Sequence, residues 1–189
     1  MLIRPHDDGT KDETRWRSFV AAQGFGHFVA SGTDRDIPVV VPTQFLLKER
    51  QVVFHLARPN PVFAALAENP RCLLSIAGDW DYIPGSWRTM GDEDPRLGIP
   101  TTYYGAVQLT CTATVIDDPE QVAAILRTQV AALEPDSDYV DPTEHTVKLR
   151  AIRGLVLSID EVRAKFKYGD NADDAHREHV AALLAATRT

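Results

Sequence analysis

The stretch Pro38-Val39-Val40-Val41-Pro42-Thr43-Gln44-Phe45-Leu46-Leu47 is followed, across Lys48-Glu49-Arg50, by Gln51-Val52-Val53-Phe54-His55-Leu56-Ala57. Two β-rich runs joined by so short a polar link leave no room for a crossover. They predict an antiparallel hairpin. The same reading extends upstream to a strand at His27 to Ser31, linked through Gly32-Thr33-Asp34-Arg35-Asp36. Downstream, a helical stretch from Val62 to Glu68 leads to a strand around Cys72 to Ala77. Further strand patterns lie at Thr101 to Ile116, Gly154 to Ile159 and Arg163 to Tyr168.

Helical patterns flank these strands. Thr10-Lys11-Asp12-Glu13 reads as a capping box, with Trp16, Phe19 and Val20 on one face of the helix it opens. Asp118-Pro119-Glu120 starts another, capped by Asp117 or Asp118. A third spans about Pro142 to Ile152, and an amphipathic helix runs from about Ala172 to Thr187. Together these predict a single mainly β, α+β domain over residues 1–189, built as a small antiparallel barrel with peripheral helices. There is no βαβ rhythm and no Gly-x-Gly-x-x-Gly after a first strand, which argues against a Rossmann site.

The formal net charge of −7 opposes a protein whose main affinity is for a nucleic-acid backbone. No apolar run approaches membrane-spanning length. The polar N-terminus lacks the apolar segment of a signal peptide, so cytoplasmic residence is expected. Cys72 and Cys111 each sit in an apolar run without a metal-ligand neighbour, and read as buried free thiols.

Several segments carry candidate chemistry. After the hairpin the chain leaves the sheet through Arg58-Pro59-Asn60-Pro61, where the two prolines fix an abrupt corner. A His and an Arg delivered there suit a phosphate, since the guanidinium offers a planar fork of donors. The alternative is a plain strand-to-helix turn, with Pro61 at the first helical position and Arg58 solvated. In Arg163-Ala164-Lys165-Phe166-Lys167, both lysines point to one face of a strand and Phe166 to the other. That is an anion site or a lysine-protected edge strand. Tyr82-Ile83-Pro84-Gly85-Ser86-Trp87 sets two aromatics around a tight turn, either to wall a flat heterocycle or to pin a loop. Ser86 lacks a nucleophile elbow, and His176 and His179 lack a third zinc ligand. No metal site is expected.

The order of these pieces resembles that of the PaiB-like, FMN-binding proteins described as negative transcriptional regulators. The matching residues are His55-x-Ala57-Arg58-x-Asn60-Pro61, Tyr82-Ile83 with Ser86-Trp87, Pro100-Thr101 with Tyr104, then Gly154, Lys165-x-Lys167 and Asn171. The resemblance implies a split β-barrel of the pyridoxamine-phosphate oxidase group and a homodimer with FMN at its interface. In that setting Arg58, Lys165 and Lys167 would neutralise the FMN phosphate. His55, Asn60 and Asn171 would hold the corner or add hydrogen bonds. Ser75 would donate to phosphate or ribityl oxygens, and Tyr82 and Trp87 would line the flavin or its substrate space. The chain departs from the family pattern where Pro-Thr-Trp-Asn-Tyr becomes Pro100-Thr101-Thr102-Tyr103-Tyr104, and where Lys-Leu-Ser-Gln-Asn becomes Lys167-Tyr168-Gly169-Asp170-Asn171. The implied function is that of an FMN-dependent oxidoreductase or a transcriptional regulator. The rivals are a cofactor-free sensor of the same fold and a haem-binding split barrel, for which His27, His55, His176 and His179 are the candidate axial ligands.

Overall fold

The computed structural model describes residues 1–187. Five α-helices and seven strands follow in the order α1 (Glu13–Gln23), β1 (Phe25–Ala30), β2 (Val39–Gln44), β3 (Leu46–Lys48), β4 (Gln51–Ala57), α2 (Val62–Glu68), β5 (Arg71–Ile83), β6 (Thr101–Ile116), α3 (Pro119–Leu133), α4 (Thr146–Arg150), β7 (Ile152–Lys167) and α5 (Asp174–Thr187). The strands form one sheet in the order β2-β1-β5-β6-β7-β4-β3. All the ladders resolved residue by residue are antiparallel. This is the mainly β, α+β architecture expected from the strand pattern, of the split-barrel type that the resemblance implies. Among the described residues the sheet does not close, and β2 and β3 are its two edges.

Those edges are neighbours in the chain. The predicted strand Pro38 to Leu47 is broken at Phe45: β2 pairs with β1, β3 pairs with β4, and one residue separates them. Phe45 is 1% exposed, and its N–H donates to Gly24 O at 2.9 Å. Burial of this ring turns the chain from one end of the sheet to the other. Pro42 falls on edge strand β2, where a missing donor is tolerated.

The chain comprises two compact units, Met1–Phe19 with Ala77–Val107 and Arg163–Thr189, and Val20–Ile76 with Gln108–Val162. The second has an aliphatic core of Leu74, Ile76, Leu109, Leu155 and Leu157, with Phe28 edge-on to Phe54 at 5.2 Å. In the first unit, Trp16 and Phe166 are buried and Phe19 packs edge-on to Phe166 at 5.4 Å. A neighbouring cluster joins Ile83, Tyr103 and Val180, with Trp87 and Leu184 packed against it.

Local capping differs from the sequence reading at α1. Thr10 is not the cap, because its hydroxyl accepts from the Ala164 N–H at 3.1 Å. Asp12 caps instead, accepting from Arg15 N–H at 2.9 Å. For α3 the cap is Asp118, which accepts from Gln121 N–H at 3.0 Å. The predicted strands Gly154 to Ile159 and Arg163 to Tyr168 are one strand, β7.

Candidate functional site

In the first unit a polar concavity of about 310 Å³ opens over the end of β7. Alternation along the strand builds it: Ala164 and Phe166 are buried, and both Lys165 and Lys167 line the concavity. An isolated antiparallel bridge ties Asp8 to Lys165 and lays the N-terminal segment along the wall. Arg4, His6 and Asp7 reach the concavity from there, and Arg88, Thr101, Tyr103 and Asn171 from other elements. Its lining carries Arg4, Arg88, Lys165 and Lys167 against one carboxylate, Asp7. An excess of positive charge concentrated in a chain of net charge −7 selects an anion.

The cations are not equivalent. Lys165 is 9% exposed, donates to Leu2 O at 3.0 Å and faces Asp7 at 3.7 Å. Its ammonium also lies 5.5 Å from the Tyr104 ring. Much of its charge is therefore balanced within the protein. Among the described residues, Lys167 donates only to the neutral Thr101 hydroxyl, at 2.7 Å. Arg88 donates through Nη1 to Ile99 O at 2.9 Å, while its Nε is buried with no hydrogen-bond partner. Tyr103 is 7% exposed, and its Oη is likewise buried and unpartnered. Burial pushes the Tyr103 phenol above its ordinary pKa; Arg88 opposes the rise and Asp170 adds to it. The hydroxyl thus stays protonated at neutral pH and available as a donor. Two buried donors without acceptors are an expensive arrangement for a protein to keep. Both residues also line the concavity.

Asp170 does not oppose such an anion directly. It sits outside the lining and pairs with Arg177 at 3.4 Å. Trp87 is not in the wall either; it packs on the Ile83–Tyr103–Val180 cluster and pins its loop. Tyr82 is 59% exposed on β5. Gly85 and Gly98 meet backbone to backbone, where a Cβ on either would collide with the other's carbonyl.

The remaining sequence candidates belong to the second unit, where each has local work. Arg58 donates through Nε to Arg150 O at 2.9 Å, through Nη1 to Asp117 at 2.8 Å and through Nη2 to Ile152 O at 3.3 Å. Asp117 also binds Arg153, whose guanidinium lies 4.9 Å from the Phe63 ring. Asn60 accepts from Val62 N–H at 3.1 Å, which opens α2. His55 Nδ1 is 2.7 Å from Gln129 Oε1. Ser75 is half-buried on β5 opposite His27. Arg88, Tyr103, Arg4, His6 and Asp7 were not among the sequence candidates. Only Tyr103 carried a signal, as a departure from the family pattern.

The antiparallel sheet, broken at Phe45 and carrying a basic concavity, is that of a split-barrel protein. The chain belongs to the family described as "Putative FMN-binding domain", which matches residues 1–161. FMN is accordingly its cofactor, and the phosphate-seeking donor set above fits that group. Among solved structures, the fold is similar to the flavocytochrome Anf3 from Azotobacter vinelandii, with 21% identity, 88% of this chain and 72% of that one covered, and a TM-score of 0.66. It is also similar to the FAD and heme binding protein from Mycobacterium smegmatis, with 18% identity, 90% and 77% coverage and a TM-score of 0.63. A 5-nitroimidazole antibiotic resistance protein from Bacteroides thetaiotaomicron, so described provisionally, shares 14% identity over 82% of this chain and 84% of that one, at a TM-score of 0.63. These likenesses establish the fold. No match was found among curated protein sequences. No helix among the described residues is long and apolar enough to cross a membrane.

Proposed function

We propose that this chain is an FMN-dependent oxidoreductase of the PaiB-like kind, and that its basic concavity holds the FMN phosphate. The observation that carries this is the pair of unpartnered buried donors, Arg88 Nε and Tyr103 Oη, in a wall that also presents Lys167. Lys167 and Arg88 would neutralise the phosphate, Tyr103 and Asn171 would donate to it, and Lys165 would fix the wall through Asp7 and Leu2. When bound, FMN supplies the electron and hydride chemistry. The residues supply binding and orientation. The net charge of −7 weighs against direct DNA binding as the main activity.

The protein is further proposed to act as a cytoplasmic homodimer with the cofactor at its interface. Phe25 is 54% exposed and Val40 50% exposed, on the same face of the β1–β2 ladder. A second copy would cover these two side chains.

The test is to purify the protein, add FMN and record the visible spectrum and flavin fluorescence. Tight uptake that Lys167→Ala and Arg88→Ala each weaken supports the reading. Failure to take up FMN sinks it, and unchanged affinity in both variants removes the concavity from the site. Anaerobic bleaching by NADH or NADPH then supports the oxidoreductase assignment, and a flavin that no donor reduces argues for a passive binder. Light scattering reads the oligomeric state.

A further inference from the structure

The second unit contains a cavity of about 340 Å³ with a different character. Its wall is apolar, formed by Leu126 and Val130 of α3, Leu149 of α4, Ile152 of β7 and Tyr139 of the intervening segment. Three polar side chains reach it: His55, His145 and Lys148. This is the composition of a small-ligand site, a largely apolar pocket with a few convergent polar groups. Its size lies near the lower end of the range for such sites, about 300–1,000 Å³.

The polar groups divide by depth. His55 is half-buried, and behind it Gln129 is 5% exposed. His55 Nδ1 lies 2.7 Å from Gln129 Oε1, a contact in which Nδ1–H donates. In the neutral tautomer that this contact favours, Nε2 is an acceptor facing the cavity side of the ring. Burying Gln129 to orient one imidazole has no packing benefit that an aliphatic side chain would not give better. At the mouth, His145 and Lys148 are exposed, and neither side chain has a partner among the described residues. No acidic residue lines the cavity. In a chain of net charge −7, an acid-free mouth bearing a free ammonium is complementary to an anion.

We propose that this cavity binds a small aromatic acid carrying a hydrogen-bond donor on its ring. The ring fills the apolar wall, the ring donor meets His55 Nε2, and the carboxylate faces Lys148 and His145. The site is separate in residues and chemistry from the basic concavity, so the two proposals stand or fall independently.

Indole-3-acetate is a suitable probe, titrated calorimetrically into the protein, first without FMN and then with FMN added in excess. Three matched controls isolate the contacts: indole-3-acetamide removes the charge, 1-methylindole-3-acetate removes the ring donor, and Val130→Trp fills the cavity. Binding is expected with indole-3-acetate and lost in Val130→Trp. The acetamide should bind about threefold to fivefold more weakly, as for one exposed ion pair, and that difference should vanish in Lys148→Gln. The methylated acid should bind about fivefold more weakly, for the loss of one hydrogen bond. Lys148 is exposed, so its variant folds whether or not Val130→Trp does. No heat at millimolar probe, equal binding of all three compounds, or displacement of the probe by FMN would each overturn the assignment.

Discussion

The unpartnered Tyr103 hydroxyl makes a prediction whose sign reverses between the free and the FMN-bound protein. A buried hydroxyl without an acceptor costs about 1–3 kcal/mol. Tyr103→Phe removes that hydroxyl and keeps the ring, which stays packed on Ile83 and Val180 and edge-on to Tyr168 at 6.4 Å. The free variant should therefore be more stable than the parent, by about 1 kcal/mol at the low end of that range. In a chain of 189 residues this raises Tm by about 2–4 °C. Binding should move the other way. A hydrogen bond to a charged group contributes about 1.5–3 kcal/mol, so FMN affinity should fall about tenfold or more. Thermal and urea unfolding of the FMN-free protein read the first effect, and quenching of flavin fluorescence reads the second. A free variant less stable than the parent would show that Oη has an acceptor in the protein. Unchanged FMN affinity would show that the phosphate does not meet it. Either result refutes the reasoning that links the orphaned donors to the cofactor.

Other predictions concern the second unit and the loops. Arg58→Ala removes a donor from two carbonyls and one of the two guanidinium partners of Asp117, which keeps Arg153, and should destabilise the fold by about 1 kcal/mol, a figure kept small because the pair is partly exposed. FMN titration of the same variant shows whether Arg58 also serves the cofactor, and stability equal to the parent's would remove its role as a staple. Arg153, opposed by partial burial and aided by Arg58, holds the Asp117 carboxyl down from 3.8 to about 2. Its contribution is full above the unfolded pKa and is lost as pH falls through about 4 to 2. Asp117→Asn should flatten that part of the stability-versus-pH curve, and a curve parallel to the parent's would refute the assignment. Burial pushes both the Cys72 and Cys111 thiols up to about 12. Neither should react with iodoacetamide at neutral pH until the protein unfolds, and stoichiometric labelling of native protein counts against that.

What the sequence made legible was local. The β3–β4 hairpin followed from its short link, and the shared face of Lys165 and Lys167 from the period of two. The break at Phe45 was not legible, because Pro38 to Leu47 contains no local stop signal. It exists because β1 and β4 claim the two halves of that run. The Thr10 cap failed for a similar reason: its competitor, the Ala164 N–H, lies more than 150 residues away in sequence. Arg58 shows the limit for function. Its residue type and proline-bracketed corner suit a phosphate, but its partners at Asp117, Arg150 and Ile152 depend on a ladder that the corner does not encode. The Arg4–Asp7 wall of the concavity depends in turn on contacts with β7 more than 150 residues away, among them the Asp8–Lys165 bridge and the Lys165 bond to Leu2 O.

Two of the residues at which the sequence departs from the pattern it resembles, Tyr103 and Gly169, meet in the structure. Where that pattern has Asn and Ser, this chain has Tyr103 and Gly169. Gly169 has φ of +87°, and a Cβ there would collide with Tyr103 Oη. The longer side chain from β6 thus occupies the space that a side chain after β7 would take, and brings a hydroxyl donor with it. This makes the two positions energetically coupled. Gly169→Ser alone should destabilise through both the collision and the left-handed backbone, by about 1–3 kcal/mol. Tyr103→Asn alone should destabilise by opening a cavity within the Ile83–Val180 cluster. The double variant should lose less than the sum, because the collision disappears with the ring, and the coupling should reach about 1 kcal/mol. A double-mutant cycle in urea measures it, with FMN affinity followed in parallel. Strict additivity would mean that Gly169 answers only to its backbone angle, and that the two departures arose independently.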